Sequence, residues 1–518
     1  MSDTPPVILL GFDATEIELI DQLVEAGRMP SLAALRERGR YGRLQTQPPH
    51  FLSLVWSTFF CSSGLGDHAW YFNKLWNPDQ QRLQYVHPSW LPLRPFWMSL
   101  EESYRIAVLD LPYVASLPTG PNITLLNGWQ CHDDFGRMQV PPGLWRSVTS
   151  RHGRPKMTPE VFGPQNVSTL LSQRREVLEA NSQFGDICRD FLRRERFDLF
   201  VAVFGSVHRG THYLWDLSQI DTGAVDQTTL AVLRGARDEC YESFDRQLGR
   251  IIEAAPHDAR IVAFALHGMG PNDGWYEHLP QILEQIHRGG GAPPPLKKGL
   301  VFRIKKALPW TLVRQVTRRI PQAWNHALVP LWSRRMYDWS KTRYFALPMD
   351  YNGYVRLNVK GREKEGCIDP ADVDRVIAEL DEALRGFRDV ETGRPVIRGT
   401  VKVDDVVGAD ASRRRFLPDV IVLWDPPHPT SHSSGLVSEK YGQVRWPRGQ
   451  MLHSGRSGNH TPNGWFVAAG PGITPGESDQ THDTLDLIPT VFEWLGAPRP
   501  PHFAGKPIDE LLGDPGRA

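Results

Sequence analysis

The 518-residue sequence has no net charge, 59 basic residues standing against 59 acidic ones. That removes the broad basic field on which nucleic-acid binding draws, so no nucleic-acid partner is expected. No apolar run approaches the ~20 residues that span a bilayer, and no basic leader precedes the strand-like start MSDTPPVILLGFD. A chain with no transmembrane segment, resident in the cytoplasm, is the expectation. Cysteine is scarce: Cys61, Cys131, Cys188, Cys240 and Cys367 are odd in number and scattered, without the spacing of a disulfide framework or a metal knuckle. They read as reduced and mostly core residues. Internal repeats and long low-complexity tracts are missing too. The length allows a large packed core and one to three domains.

What is there alternates between strand and helix. Val7 to Gly11 is an apolar run that ends in Gly-Phe-Asp13, and Ile17, Leu19, Ile20, Leu23 and Val24 then recur at helical spacing. Asp13 therefore sits at the carboxyl end of a strand, the edge where open α/β sheets hold ligands, or else caps the helix that follows. Pro48-Pro49 and the small residues from Cys61 to Gly66 bracket a short helical segment predicted over Leu52 to Phe60. Ser53 lies at its start, where it either caps the helix or faces an anion. Residues 71 to 175 read as irregular elaboration with one strand, Arg105 to Leu111. Helices are predicted over Glu176 to Arg194 and Thr228 to Ala254, and apolar strands over Phe197 to Phe204 and Arg260 to Leu266. This alternation implies a mostly parallel sheet sandwiched by helices.

The stretch FGSVHRGTHYLW, residues 204 to 215, carries His208 and His212 four apart on a helix entered from a strand. That spacing puts both imidazoles on one helical face, where they can share a metal ion. His267 follows the Arg260 to Leu266 strand, and His460 lies in a Gly/Asn/Pro loop just before another, a position typical of ligands and of ordinary turns alike.

From about 272 to 414 the texture changes. GGGAPPPLKKG reads as a linker, and the basic amphipathic stretch 297 to 335 follows. The latter is either a helical lid with a solvated charged face or a surface for an anionic or lipid-like substrate. A small α+β insert is predicted over Tyr351 to Val359, Pro370 to Leu384 and Pro395 to Val407. Leu417 to Trp424 is predicted to return to the core as a strand, and a last helix covers Thr484 to Leu495. The division is thus a core over 1–271 and 415–518, with an inserted cap or lid over 272–414.

The ordered motifs GFDATE, RMPSLAALRERGRYGRL, PPHFLSLVWSTF, GDHAW, VFGSVHRGTHYLW, ALHGMG, GREKEG, LPDVIVLWD, GNHTPNGWFVAAGPGI and DLIPTVFEWLGAP resemble the alkaline phosphatase superfamily, in particular its type I phosphodiesterase/nucleotide pyrophosphatase branch. The resemblance runs from about residue 7 to 512. It implies an α/β core with a mostly parallel central sheet flanked by helices, and two metals, usually zinc, about 4 Å apart. It implies Asp13 and His267 as ligands of one metal and His212 and His460 as ligands of the other. Three positions depart from the pattern. The nucleophilic Thr or Ser falls on Leu52, the aspartate four residues before His212 is His208, and the aspartate before His267 is Leu266.

These departures lead to a single divalent cation on His208, His212 and His460, zinc first, with manganese or iron as alternatives. Asp13 and His267 are then a weaker ligand pair, or general base and positioning groups. The nucleophile is a metal-activated water, or Ser53 if the segment shifts by one residue. His50 and His453 are spare candidate ligands. The function expected is a metal-dependent phosphoester or phosphodiester hydrolase acting on an anionic small-molecule or lipid-like substrate. The alternatives are altered, non-hydrolytic chemistry on the same fold, or an inactive homologue that binds a ligand or partner.

Overall fold

A computed structural model describes residues 4–53, 55–86, 90, 94–114, 120–130, 137–157, 162–272, 274–289, 337–348, 351–408, 410–425, 433–446 and 454–513. Its centre is a nine-stranded sheet. In spatial order the strands are Gly476–Asp483, Arg40–Gln45, Asn463–Ala469, Arg260–Ala265, Val7–Phe12, Leu199–Phe204, Ile106–Leu109, Ile123–Asn127 and Met138–Val140. The Val7–Phe12 strand pairs in parallel with Leu199–Phe204 on one side and Arg260–Ala265 on the other. Asn463–Ala469 runs antiparallel to Arg260–Ala265.

The apolar runs follow from two-sided burial. Ile8, Leu10, Phe12, Phe200, Ala202 and Phe204 face one core, whereas Val7, Leu9, Leu199, Val201 and Val203 face the other. Strands covered on both faces have no use for polar alternation. The first core is closed by helices Ile17–Glu25, Val167–Arg194 and Gln227–Ala254, and the second by Val55–Cys61 and Leu487–Leu495. Asn166 caps the second of these helices by accepting from Thr169 N, so it begins nine residues before the predicted start at Glu176.

Residues 71–175 are more regular than the sequence reading allowed. They supply three strands of the main sheet and the hairpin Lys74–Asn77/Arg82–Tyr85. Ile123–Asn127 escaped notice because five residues between Pro-, Gly- and Asn-rich flanks carry little periodicity.

A second unit has its own core around Trp275, Leu279, Val355, Leu380 and Val422. Its four-stranded sheet runs Tyr344–Ala346, Gly353–Leu357, Val420–Trp424, Ile397–Lys402, and helix Val373–Arg385 packs against the last of these. The strand predicted to return to the main core at 417–424 therefore belongs here, between Gly353–Leu357 and Ile397–Lys402. An apolar run buried on both faces reads the same in either sheet. The unit also includes strands Gly435–Ser438 and Gly442–Arg445, so the main sheet is rejoined only at Asn463, not at 415. The basic stretch 297 to 335, most of the Gly/Pro linker, Cys131 and His453 lie outside the described residues. Among the described residues no helix is long and apolar enough to cross a membrane.

Candidate metal centre

Parallel pairing at the middle of the sheet assembles the site. Phe12 is in register with Phe204, and Gly11 with Phe264, so the chain leaves three adjacent strands at one edge. Asp13 follows the first strand, helix Ser206–Leu214 the second, and His267 the third. His460 arrives from a different direction, on Gly458–Thr461, which pairs antiparallel with Gly268–Pro271 and sets His460 opposite Met269. Asp13, His208, His212, His267 and His460 are all buried.

His208 Nε2 lies 3.0 Å from His212 Nε2 and 2.9 Å from His460 Nε2. The partners of the other ring nitrogens set the tautomers. His208 Nδ1 is 2.6 Å from Asp13 Oδ2, and His212 Nδ1 is 2.9 Å from the Gly458 carbonyl. Both Nδ1 atoms must donate to these acceptors, which leaves two Nε2 lone pairs facing each other at 3.0 Å. Two lone pairs at that distance repel unless a proton or a metal cation sits between them. Tetrahedral nitrogen ligands ~2.0–2.1 Å from zinc would stand about 3.3 Å apart, so the residues fit a divalent cation. Among the described residues, these three histidines are the group whose ligand atoms lie mutually within 4.8 Å.

The electrostatics agree with neutral His212 and His460. Burial, and then the charge of Arg456, hold His212 well below the usual imidazole range. Burial, followed by His267 and His208, does the same to His460. Burial alone would raise Asp13, but His208 and then His267 outweigh it and keep its carboxyl well below the ordinary carboxylate value.

Asp13 is surrounded by N–H groups. Trp56 Nε1 donates to its Oδ1 at 2.7 Å and His208 holds its Oδ2. The indole reaches it because residue 11 is glycine: a Cβ there would lie 2.7 Å from Trp56 Cη2. His267 Nε2 is 3.4 Å from Asp13 Oδ1, and its Nδ1 is 3.1 Å from the Gly268 carbonyl. Leu266, directly before His267 in the chain, is wholly buried in the apolar core together with Leu52.

Ser53 lies half-buried in the turn before helix Val55–Cys61, which starts later than the predicted Leu52. The hydrogen bonds that link Asp13 to His208, His212 and His460 do not pass through it. His50 is not among the clustered histidines; its carbonyl accepts from Asn352 Nδ2 (3.1 Å) and the Tyr354 hydroxyl (2.8 Å) of the second unit. Trp56, Arg456 and Glu16 were not singled out from the sequence. Glu16 ties Thr461 to the loop after Asp13 through a 2.5 Å bond from the Thr461 hydroxyl. An Arg four residues before a ligand histidine, in GRSGNH, was a readable signal.

No family model matches the chain, and no curated protein matches it. Solved structures do. Phosphonoacetate hydrolase from Sinorhizobium meliloti is 15% identical with a TM-score of 0.50, over 95% of this chain and 96% of that one. Human ectonucleotide pyrophosphatase/phosphodiesterase 5 is 12% identical with a TM-score of 0.50, over 98% of this chain and all (100%) of that one. The alkaline phosphatase PafA is 13% identical with a TM-score of 0.56, over 99% of this chain and 100% of that one. With these neighbours along nearly its whole length, the chain has the fold of the alkaline phosphatases.

Proposed function

We propose that the chain is a metal-dependent hydrolase of phosphoesters, diesters included, that works with one divalent cation held by His208, His212 and His460. The observation that carries this reading is the convergence of three buried imidazoles, with the tautomers of His208 and His212 set by Asp13 and Gly458. Three neutral nitrogen donors suit zinc first, then manganese or iron. When bound, such an ion supplies Lewis-acid polarisation of a phosphoryl oxygen and acidifies water.

The protein's own groups divide the remaining work. Asp13 orients His208 and strengthens it as a donor, in the manner of a carboxylate behind a metal-bound histidine. His267, with Nδ1–H given to Gly268, keeps Nε2 as a base; Asp13 at 3.4 Å balances the charge when that nitrogen takes a proton. In hydrolysis a new P–O bond forms to the attacking oxygen, its proton passes to the base, and the ester oxygen leaves. Leu52 has no group that can attack, so the attacking oxygen belongs to water or, failing that, to Ser53. The fold supports the reaction class, since phosphonoacetate hydrolase and alkaline phosphatase are names its neighbours bear.

Metal analysis together with turnover of an aryl phosphodiester tests the reading. One equivalent of metal is expected, lost in His212→Ala and His460→Ala, with turnover surviving Ser53→Ala. Turnover lost only in Ser53→Ala, with metal retained, moves the attack to the serine. A second reading, a homologue that binds without turnover, is favoured by the apolar Leu52 and Leu266. Metal-loaded protein that binds phosphate yet hydrolyses no phosphoester would select it.

A further inference from the structure

We infer that Glu16 is a positioning residue of this centre: its carboxyl group clamps the hairpin that carries His460 to the loop that carries Asp13, and so sets where the third imidazole meets the other two. The inference rests on the three-histidine metal reading above. His208 and His212 each have an acceptor behind Nδ1, namely Asp13 Oδ2 and the Gly458 carbonyl. His460 differs. It is buried, and among the described residues no group hydrogen-bonds its Nδ1. Its placement therefore falls to the strand Gly458–Thr461 on which it sits.

Glu16 holds that strand from the Asp13 side. The Thr461 hydroxyl, on the residue after His460, donates to Glu16 Oε2 at 2.5 Å, and Asn463 Nδ2 stands 3.5 Å from Glu16 Oε1. Glu16 is itself buried, three residues after Asp13, and its N–H donates to the Tyr241 hydroxyl at 2.9 Å. Trp465 fixes the loop between the two acids, its Nε1 donating to the Thr15 carbonyl at 3.2 Å. The other strand of the hairpin closes on the same carboxyl group. Gly268 follows His267 and pairs with Thr461, and a Cβ on it would collide with Glu16 Oε2 and Thr461 Oγ1. Glycine at this position lets Glu16 lie against both strands.

The origin of the three ligands gives the reason for a clamp at this place. His208 and His212 share helix Ser206–Leu214, and their four-residue spacing keeps both on one face by helical geometry alone. His460 comes from a separate hairpin, yet its Nε2 must stay within 2.9 Å of His208 Nε2. Nitrogen–metal distances tolerate about 0.2 Å, so a ligand delivered by another element serves only if that element is fastened to the first. The Thr461–Glu16 bond is such a fastening, one residue from the ligand itself.

Zinc titrated into the full chain is the test. Glu16→Ala and Thr461→Val are each expected to weaken zinc binding about tenfold, the lower end for groups that stand behind metal ligands. The double variant is expected to bind no more weakly than the weaker single one, because both changes remove the same bond. Glu16→Gln still offers Thr461 an acceptor and is expected to recover most of the loss. Cobalt(II) in place of zinc separates positioning from stability, since its visible absorption follows the ligand set. The cobalt bands are expected to shift in Glu16→Ala and Thr461→Val and to stay in Glu16→Gln. Wild-type zinc affinity in a folded Glu16→Ala or Thr461→Val protein overturns the inference, and so does weaker zinc binding with unchanged cobalt bands, the mark of a merely structural role. A Glu16→Gln protein as weak as Glu16→Ala overturns it too. Should Glu16→Ala not fold, Thr461→Val decides by the same two measurements. Failure of the wild type to bind zinc is a different result, which removes the metal reading itself.

Discussion

Asp13 Oδ2 meets His208 Nδ1 at 2.6 Å, so one imidazole of the proposed metal set is bound to the carboxylate that follows the central strand. As a carboxylate that receives two N–H groups, Asp13 directs an imidazole instead of offering its oxygens to a cation.

Asp13→Asn tests this directly. The amide can accept from only one of Trp56 and His208, and its NH2 opposes the other donor. His208 then loses its fixed tautomer. Metal affinity is expected to fall about 10- to 100-fold, the usual effect of removing such a partner, with the stoichiometry still one. An unchanged dissociation constant in a metal titration would falsify the orienting role.

Trp56→Phe removes the other donor but keeps most of the buried volume. Asp13 Oδ1 then keeps only the longer 3.4 Å contact to His267 Nε2, at a cost of about 1–3 kcal/mol. Chemical denaturation should show that loss of stability, together with a smaller effect on metal affinity than Asp13→Asn produces. The reverse ranking of the two variants in metal affinity would contradict the division of labour between the indole and His208.

The resemblance implies that Leu266 stands where a second metal position would have a carboxylate. It is fully buried and directly precedes His267 in the chain. Leu266→Asp would add a carboxylate to the pair Asp13 and His267, so stoichiometry by metal analysis is expected to rise from one equivalent to two. Without metal the variant carries an uncompensated buried acid and should lose several kcal/mol of stability, on the order of 2–7. A folded variant that still binds one equivalent would show that more than this carboxylate has been lost.

How much of this was legible depended on whether side chains or the backbone carried the information. Apolar runs bounded by helical periodicity marked the strands at 7–12, 199–204 and 260–265, and polar residues just past them marked the site edge. The outer strand Gly476–Asp483 did not show, because GESDQTHD at the sheet edge has almost no apolar face. Val420–Trp424 was visible as a strand, but its partners come from a register that composition does not encode. Within the site, the spacing of His208 and His212 put two imidazoles on one helical face. The Gly458 carbonyl that orients His212 is a backbone atom, invisible to any reading of residue types. The role of Asp13 turned on distances to Trp56 and His208, which the sequence order does not contain.

A last expectation concerns pH and lies one step from the metal centre. His68 is buried between Thr58 and the backbone of Trp70: its Nδ1 accepts from Trp70 N at 2.9 Å, which leaves Nε2–H, 3.2 Å from the Thr58 hydroxyl. Burial lowers its pKa from 6.5 to about 4, with Asp67 opposing and Arg413 reinforcing the shift. The unfolded chain takes up a proton below pH ~6.5 and the folded chain does so only near pH 4. Stability therefore has its full value above the first pH and falls as the pH drops through the interval, by about 3 kcal/mol for this group. His212 and His460 are lowered as well and slope in the same direction, so the comparison must isolate His68. His68→Gln keeps a donor for Thr58 but does not titrate. Denaturation from pH 4 to 7 should show a constant loss in the variant from the orphaned Trp70 N–H, and a flatter dependence on pH than the wild type. Parallel profiles would mean that His68 takes its proton equally well in both states.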